Sequence, residues 1–364
     1  LQTPELAVFL TTTETPDTCC PDLPRPIRRA KEQPMKTIQL GPDGPSVSQF
    51  GIGAMSFAGI YGDASVADSH AVLDACRAAG VSHIDTSNVY GNGRSEEIIG
   101  DWFARTPGAR QDMVLATKAG ITRSPDRRFN NDPDYLEAAL DESLQRLGVD
   151  HVDLFYIHRY DRSHSPEEVA GTLKRLMDKG KTRAVGFSEI APSTLRRAFT
   201  ECPIAAVQSE YSLSTRAPEL GLVQTCRALG TTLVAFSPVG RAFLTDAPFS
   251  FDKVQSLAFT KGNPRFMQPN YDANIAATDG FRALAADMGE PAAALAIAWL
   301  IAQGDRVLPI PGTKDLSHLA ELIRGTEIDL SAEDLVRIET VLPVGWAHGD
   351  RYNAAQWEGP ERYC

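Results

Sequence analysis

The chain has 364 residues, 43% hydrophobic and 23% charged, an ordinary globular composition that excludes a mini-protein and a disordered chain. Thirty-six basic against forty-seven acidic residues leave a net charge of −11, and no run of Lys and Arg reverses it, which argues against nucleic acid and anionic membrane surfaces as partners. The longest apolar stretch, Ala292 to Ala302, is eleven residues, against about twenty needed to span a bilayer, so a soluble protein is expected. None of the six cysteines forms a C-x-x-C pair. Reduced thiols in a cytoplasmic protein are expected, with Cys76 and Cys226 as small core residues on helices.

Residues Leu1 to Pro34 read differently from the rest. They begin without Met, contain Cys19-Cys20 and a basic patch at Arg25, Arg28, Arg29 and Lys31, and hold one short apolar run, Leu6 to Leu10. That run is shorter than the roughly 7–15 residues of a secretory core, and Glu5, Glu14, Asp17 and Asp22 spoil a transit signature. The segment is expected to be a disordered leader, translated from upstream or appended in cloning. Residues 35–364 are then expected to form one domain.

From Met35 onward a short run rich in Val, Ile and Phe alternates with a longer segment of helical spacing. The strand-like runs are Ser48–Gly53, Val81–Asp85, Met113–Lys118, Val152–His158, Arg183–Ser188, Ala205–Gln208, Thr231–Ser237 and Arg306–Pro311. Helical segments include Ala64–Ala79, Pro133–Leu147, Pro166–Lys179 and Thr215–Leu229. Asp132-Pro133, Ser165-Pro166 and Ala191-Pro192 mark helix starts, and Gly80, Gly148, Gly180 and Gly230 mark stops. Eight such units predict an α/β fold, a single (β/α)8 TIM barrel. An open dinucleotide-binding sheet loses, because Gly51-Ile-Gly53 and Gly91-Asn-Gly93 both lack the third glycine of G-x-G-x-x-G.

In such a barrel the chemistry lies at the C-terminal strand ends, and here those ends are polar: Asp85, Lys118, His158, Ser188, Gln208, Ser237 and Thr313. A buried Asp and a buried Lys on separate apolar strands are costly unless they meet, so Asp85 and Lys118 are expected to pair. Tyr90 lies five residues past Asp85. Beside an ammonium its phenol is expected to be pulled below its ordinary pKa and to serve as a proton donor. His158 is placed to hydrogen-bond the same substrate oxygen. His83-x-Asp85 and His151-x-Asp153 look superficially like metal ligands, but without His-x-His or His-Glu-x-x-His no metal is expected.

From Met35 to the C-terminus the chain resembles the aldo-keto reductases, in the bacterial-type NADP-dependent oxidoreductase branch. The resemblance rests on Ile84-Asp-Thr-Ser-Asn-Val-Tyr90-Gly, Thr117-Lys118-Ala-Gly, Leu154-Phe-Tyr-Ile-His158-Arg, Gly186-Phe-Ser188-Glu, Val207-Gln208-Ser-Glu-Tyr, Phe236-Ser-Pro-Val-Gly240-Arg241 and Ile310-Pro-Gly-Thr-Lys314, in the family's order. It implies a catalytic tetrad of Asp85, Tyr90, Lys118 and His158. The implied activity is hydride transfer between NADPH, with NADH as a possibility, and a small aldehyde or ketone, or the reverse alcohol oxidation. Lys118 would tune Tyr90, Asp85 would hold Lys118, and His158 would fix the carbonyl. The implied cofactor contacts are Met55, Asp85, Ser188, Gln208, Phe236 under the nicotinamide, and the Ser237, Pro238, Gly240, Arg241 turn at the pyrophosphate. Gly312, Thr313, Lys314, His318 and Glu321 would meet the adenosine end, with Thr313 and Lys314 on the 2′-phosphate. The aromatic residues Phe57, Tyr61 and Phe129 suggest the substrate entrance.

About seventy residues separate the last two strand-like runs, longer than an ordinary connection. Residues Ala247 to Asn274 are therefore read as a long insertion; in some branches of the resembled family a similar segment folds over the cofactor, which implies Arg265 as a pyrophosphate or adenosine contact. The aromatic stretch Trp346 to Trp357 is either a cover for the substrate cleft or a packed tail. Glu189 stands where the family usually has Asn, so a carboxamide contact there would only accept hydrogen bonds. The alternative function is a redox-sensing regulatory subunit that binds cofactor with little turnover. The sequence is silent on oligomeric state.

Overall fold

The computed structural model describes residues 35–122, 124 and 128–362, so the expected leader and Cys19-Cys20 lie outside the described residues. A hairpin of β1 (Thr37–Gln39) and β2 (Ser46–Ser48) comes first. Eight parallel strands follow: β3 (Ile52–Gly53), β4 (His83–Asp85), β5 (Val114–Ala119), β6 (Val152–Ile157), β7 (Thr182–Ser188), β8 (Ala206–Glu210), β9 (Thr232–Phe236) and β10 (Val307–Pro309). Each pairs with its neighbours in chain order. The sheet curls until its two edges meet, where Gly51 N donates to Pro309 O at 3.0 Å and Gly53 N to Pro311 O at 2.8 Å. This α/β architecture is consistent with a (β/α)8 barrel.

Between the strands run α1 (Val66–Ala78), α2 (Arg94–Arg105), α3 (Ala109–Asp112), α4 (Pro133–Leu147), α5 (Pro166–Asp178), α6 (Pro192–Phe199) and α7 (Leu222–Leu229). From β9 to β10 the chain forms α8 (Phe251–Ser256), α9 (Asn270–Asp287) and α10 (Ala292–Ile301), and α11 (Leu316–Arg324) and α12 (Ala332–Val341) close the series. The starts follow local chemistry. Ser165 and Glu168 form a reciprocal capping box ahead of α5, with Pro166 in its first turn, and Gly148 ends α4 in the left-handed conformation at φ 65°. The helical run expected over Thr215–Leu229 is broken. Gly221 sits at φ 134°, which a side chain resists, and it separates a 3₁₀ turn at Ala217–Leu220 from α7.

Two apolar layers hold the sheet in shape. Inside it, Ala116, Leu154, Tyr156, Ala184, Ala206, Val234 and Leu308 pack together, and Ile38, Leu40 and Val47 of the hairpin join them. Outside, Ile84, Leu115, Phe155, Val185, Val207 and Leu233 meet the helices. Gly186 is required by the inner layer: a Cβ there would lie 2.6 Å from the Tyr156 ring and 2.6 Å from Ala206 O. Cys76 and Cys226 are buried core residues, as expected. Among the described residues no single helix is long and apolar enough to cross a membrane. The apolar α10 is buried in the core instead.

Candidate active site

Asp85 and Lys118 meet because of strand register. Asp85 pairs with Ala116 across the β4–β5 ladder, and Lys118 lies two residues further along the same face. Lys118 is fully buried, and its Nζ donates to Asp85 Oδ1 at 2.5 Å, to Thr86 O at 2.7 Å and to Tyr90 OH at 3.4 Å. All three ammonium protons are thus directed. Asp85 Oδ2 accepts from Gln208 Nε2 at 2.8 Å, which ties β8 into the same cluster. Burial alone would lower the Lys118 pKa, but the Asp85 charge and the Tyr90 oxygen hold it above its ordinary value.

Tyr90 stands on a 3₁₀ turn, Tyr90–Gly93, that follows β4. Its ring faces the His158 ring edge-on at 5.8 Å and the Lys118 ammonium at 5.0 Å. One expectation is corrected here. Burial raises the Tyr90 pKa above its ordinary value, and the opposing pull of Lys118 does not overcome it. Desolvation of a phenolate in this dry site outweighs one ammonium whose charge is already shared with Asp85. The phenol is therefore protonated at neutral pH. His158, at the end of β6, is driven well below its ordinary pKa by burial, with Arg159 and Lys118 adding to the effect, so its imidazole is neutral.

Asp85, Tyr90 and His158 open onto a cavity of about 930 Å³ at the C-terminal strand ends, toward the upper end of the roughly 300–1,000 Å³ usual for small-molecule sites. Met55, Ser188, Gln208, Phe236, Ser237, Pro238 and Arg241 line it, as do Gly312, Thr313, Lys314, His318 and Glu321, together with Tyr61 and Phe129. Lys118 lies behind Asp85 and Tyr90. Ser237 begins its turn at φ 52° and Arg241 and Ala242 continue it at 55° and 76°, strained positions for residues with side chains. Elsewhere in the lining two lysines crowd Gly62. A Cβ there would lie 3.1 Å from Lys253 Nζ and 3.6 Å from Lys314 Nζ.

Three expected site residues are elsewhere. Phe57 is fully buried in the outer core, because its 3₁₀ turn, Ala54–Ala58, faces the ring toward the helices. Gly240 lies behind the cavity wall, its Cα side facing Ser214 and Leu244. Arg265 turns away from the cavity and donates to Thr215 Oγ1 at 2.7 Å, 3.7 Å from the Glu210 carboxylate. Glu189 likewise does not line the cavity. Its carboxylate accepts from Arg351, from Glu210 N at 2.8 Å and from Ser209 Oγ at 3.1 Å. Burial pushes its pKa up, and the charge and hydrogen bond of Arg351, with the Arg159 charge and the Glu210 N–H, more than reverse this.

The stretch Trp346 to Trp357 packs on the barrel and also reaches the cavity. Trp346 Nε1 donates to Leu213 O at 2.8 Å, packing the tail, while Tyr352 and Gln356 line the cavity. Arg128 bridges to this tail through Ala355 O at 2.6 Å and Glu358 at 2.7 Å. Sequence reasoning passed over Lys253, Arg159 and Tyr352 as wall residues. Each had a signal: Arg159 follows His158 at a polar strand end, Tyr352 lies in the aromatic stretch Trp346–Trp357, and Lys253 in the segment 247–274.

A family model described as the aldo/keto reductase family matches residues 49–343. The chain belongs to the aldo/keto reductase family. Its activity is that of an oxidoreductase acting on carbonyl groups. It is 38% identical over 322 residues to an aldo-keto reductase of Schizosaccharomyces pombe whose name carries NADP(+), covering 87% of this chain and 94% of that protein. It is 37% identical over 327 residues to probable aldo-keto reductase 1 of Glycine max, covering 89% and 93%. Among solved structures, a glycerol dehydrogenase from Gluconobacter oxydans superposes with a TM-score of 0.73 at 26% identity, over 84% of this chain and 94% of that one.

Proposed function

We propose that this chain is an NADPH-dependent reductase of small aldehydes or ketones, in which Tyr90 gives its phenolic proton to the substrate oxygen. The carrying observation is the Lys118 ammonium, whose three contacts are Asp85, the Thr86 carbonyl and the Tyr90 hydroxyl. As the proton leaves, the phenolate gains a fixed cation 3.4 Å away in a site of low polarity, where that charge counts most. Asp85 keeps the ammonium charged and aimed. His158, neutral at working pH, hydrogen-bonds the carbonyl oxygen and orients it.

The cavity suits NADPH. Ser188 and Gln208 offer polar atoms and Phe236 a flat apolar face, while Lys314 and Lys253 offer cations. NADPH, when bound, supplies the hydride. Lys314, with Thr313, is read as the contact of the 2′-phosphate, and Lys253 reinforces it from the segment 247–274, which we read as an insertion over the cofactor. The relative named for NADP(+) points the same way; NADH is the weaker partner. Tyr61, Phe129 and Tyr352 give the substrate an aromatic entrance. The buried free thiols Cys76, Cys202 and Cys226 suit a cytoplasmic setting. Steady-state turnover with NADPH across a panel of small aldehydes and ketones tests the reading. Saturable oxidation of NADPH that depends on the carbonyl is expected, and tight NADPH binding with no turnover on any of them would favour a regulatory subunit.

A further inference from the structure

Ser87 is a residue for which the reductase mechanism above has no use, yet it is fully buried beneath the tetrad. Its hydroxyl lies 2.9 Å from His158 Nδ1 and 3.3 Å from Lys118 O, with Val89 N at 3.5 Å. A hydroxyl has one proton to give, so it serves either the imidazole or the carbonyl. The carbonyl is the poorer acceptor. Its distance exceeds the usual O–H···O range of about 2.5–3.0 Å, and it already accepts from Asn88 N at 3.2 Å. The imidazole is at ordinary hydrogen-bond distance.

The consequence reaches the cavity. A neutral imidazole carries one proton, and whichever nitrogen accepts a hydrogen bond cannot hold it. We infer that Ser87 is a positioning residue that donates to His158 Nδ1 and thereby fixes the tautomer with the proton on Nε2, the nitrogen for which no partner exists among the described residues. That leaves His158 a hydrogen-bond donor toward the cavity. Resting on the proposed carbonyl reduction, this gives His158 the polarity to hold a carbonyl oxygen, which has lone pairs and no proton. The opposite tautomer would present a lone pair to that oxygen and repel it. The neutral state the argument needs is the one that burial beside Arg159 and Lys118 favours.

The test separates the tautomer from the chemistry. In the ¹⁵N-labelled full chain near neutral pH, long-range ¹H–¹⁵N spectra assign the protonated nitrogen of His158. The wild type is expected to show Nε2–H. Ser87→Ala removes the donor, and its spectrum is expected to move toward a mixture or toward Nδ1–H. Its kcat should fall roughly five- to tenfold, the worth of one ordinary hydrogen bond, with NADPH affinity unchanged. Nδ1–H in the wild type, or the same tautomer and kcat in Ser87→Ala as in the wild type, would overturn the inference. An Nε2–H wild type that reduces no carbonyl would sink the reductase reading and leave the assignment of Ser87 standing.

Discussion

Two clusters of buried charge sit at the same end of the curled sheet and differ in what they leave unspent. In the first, Asp85 and Lys118 neutralise each other, while the Tyr90 hydroxyl and the His158 ring remain turned to the cavity. In the second, Glu189 and Glu210 meet Arg241, Arg265 and Arg351. Arg241 Nη2 donates to Glu210 at 2.5 Å, Arg351 pairs with Glu189, and Thr215 Oγ1 completes Glu210 at 2.9 Å. Phe259, Tyr352 and Trp357 stack on the guanidinium groups. Burial of charge therefore does not by itself mark chemistry. In the first cluster a hydroxyl and an imidazole stay aimed at the cavity. In the second Arg241 also lines the cavity, but its guanidinium is already engaged by Glu210 and the Arg351 carbonyl, and the cluster ties the C-terminal segment to the strand ends.

Removing one cation from each cluster separates the two roles. Lys118→Met should lower kcat by roughly 10²- to 10⁴-fold, the scale of positioned acid–base catalysis, because the phenolate loses its counter-charge. Calorimetry and turnover on the same sample check that the loss of rate exceeds any loss of folded protein. Arg351→Met should do the reverse. It leaves Glu189 buried without its main partner, so unfolding by denaturant should show a loss of about 3–5 kcal/mol, while kcat per folded molecule changes only a few-fold. A smaller effect belongs to Lys314 in the cavity wall. Lys314→Ala should weaken NADPH binding about ten- to a hundredfold and NADH binding little, as titration of each cofactor would show.

The smallest effect lies outside both clusters. Glu137 is hydrogen-bonded by Lys179 and Lys181, which hold its pKa at about 2, below the ordinary value. A depressed carboxylate stabilises the fold above its ordinary pKa and loses that contribution as pH falls toward 2. At the surface, solvent screens the pair, so Glu137→Gln should cost less than about 1 kcal/mol at neutral pH, and that difference should shrink in salt and vanish near pH 2. An effect as large as that of Arg351→Met would erase the distinction between surface and buried charge.

Much of the fold was legible in the sequence. The runs over Val152–His158 and Arg183–Ser188 became β6 and β7 almost residue for residue, since apolar strands buried on both faces leave an unbroken signal. The grouping of Asp85, Tyr90, Lys118 and His158 was legible because these four polar residues interrupted such runs or followed one closely. What stayed hidden depended on partners distant in the chain. Glu189 and Arg351 are 162 positions apart, and nothing local says that each neutralises the other. Arg265 showed its charge but not that Glu210 would claim it. Phe57 sits in a short turn whose sequence does not reveal which side faces the core. The Tyr90 pKa was misjudged because sequence shows the neighbouring ammonium and not the water that burial removes.

Tyr90→Phe tests the central claim most directly, since it deletes one oxygen and leaves the Asp85–Lys118 pair in place. Pre-steady-state mixing of the NADPH-loaded variant with an aldehyde, followed through the nicotinamide absorbance, reads the chemical step itself. Loss of that step by roughly 10²- to 10⁴-fold is expected, with NADPH affinity close to that of the wild type. A variant that oxidises NADPH at the wild-type rate would remove Tyr90 as the proton donor.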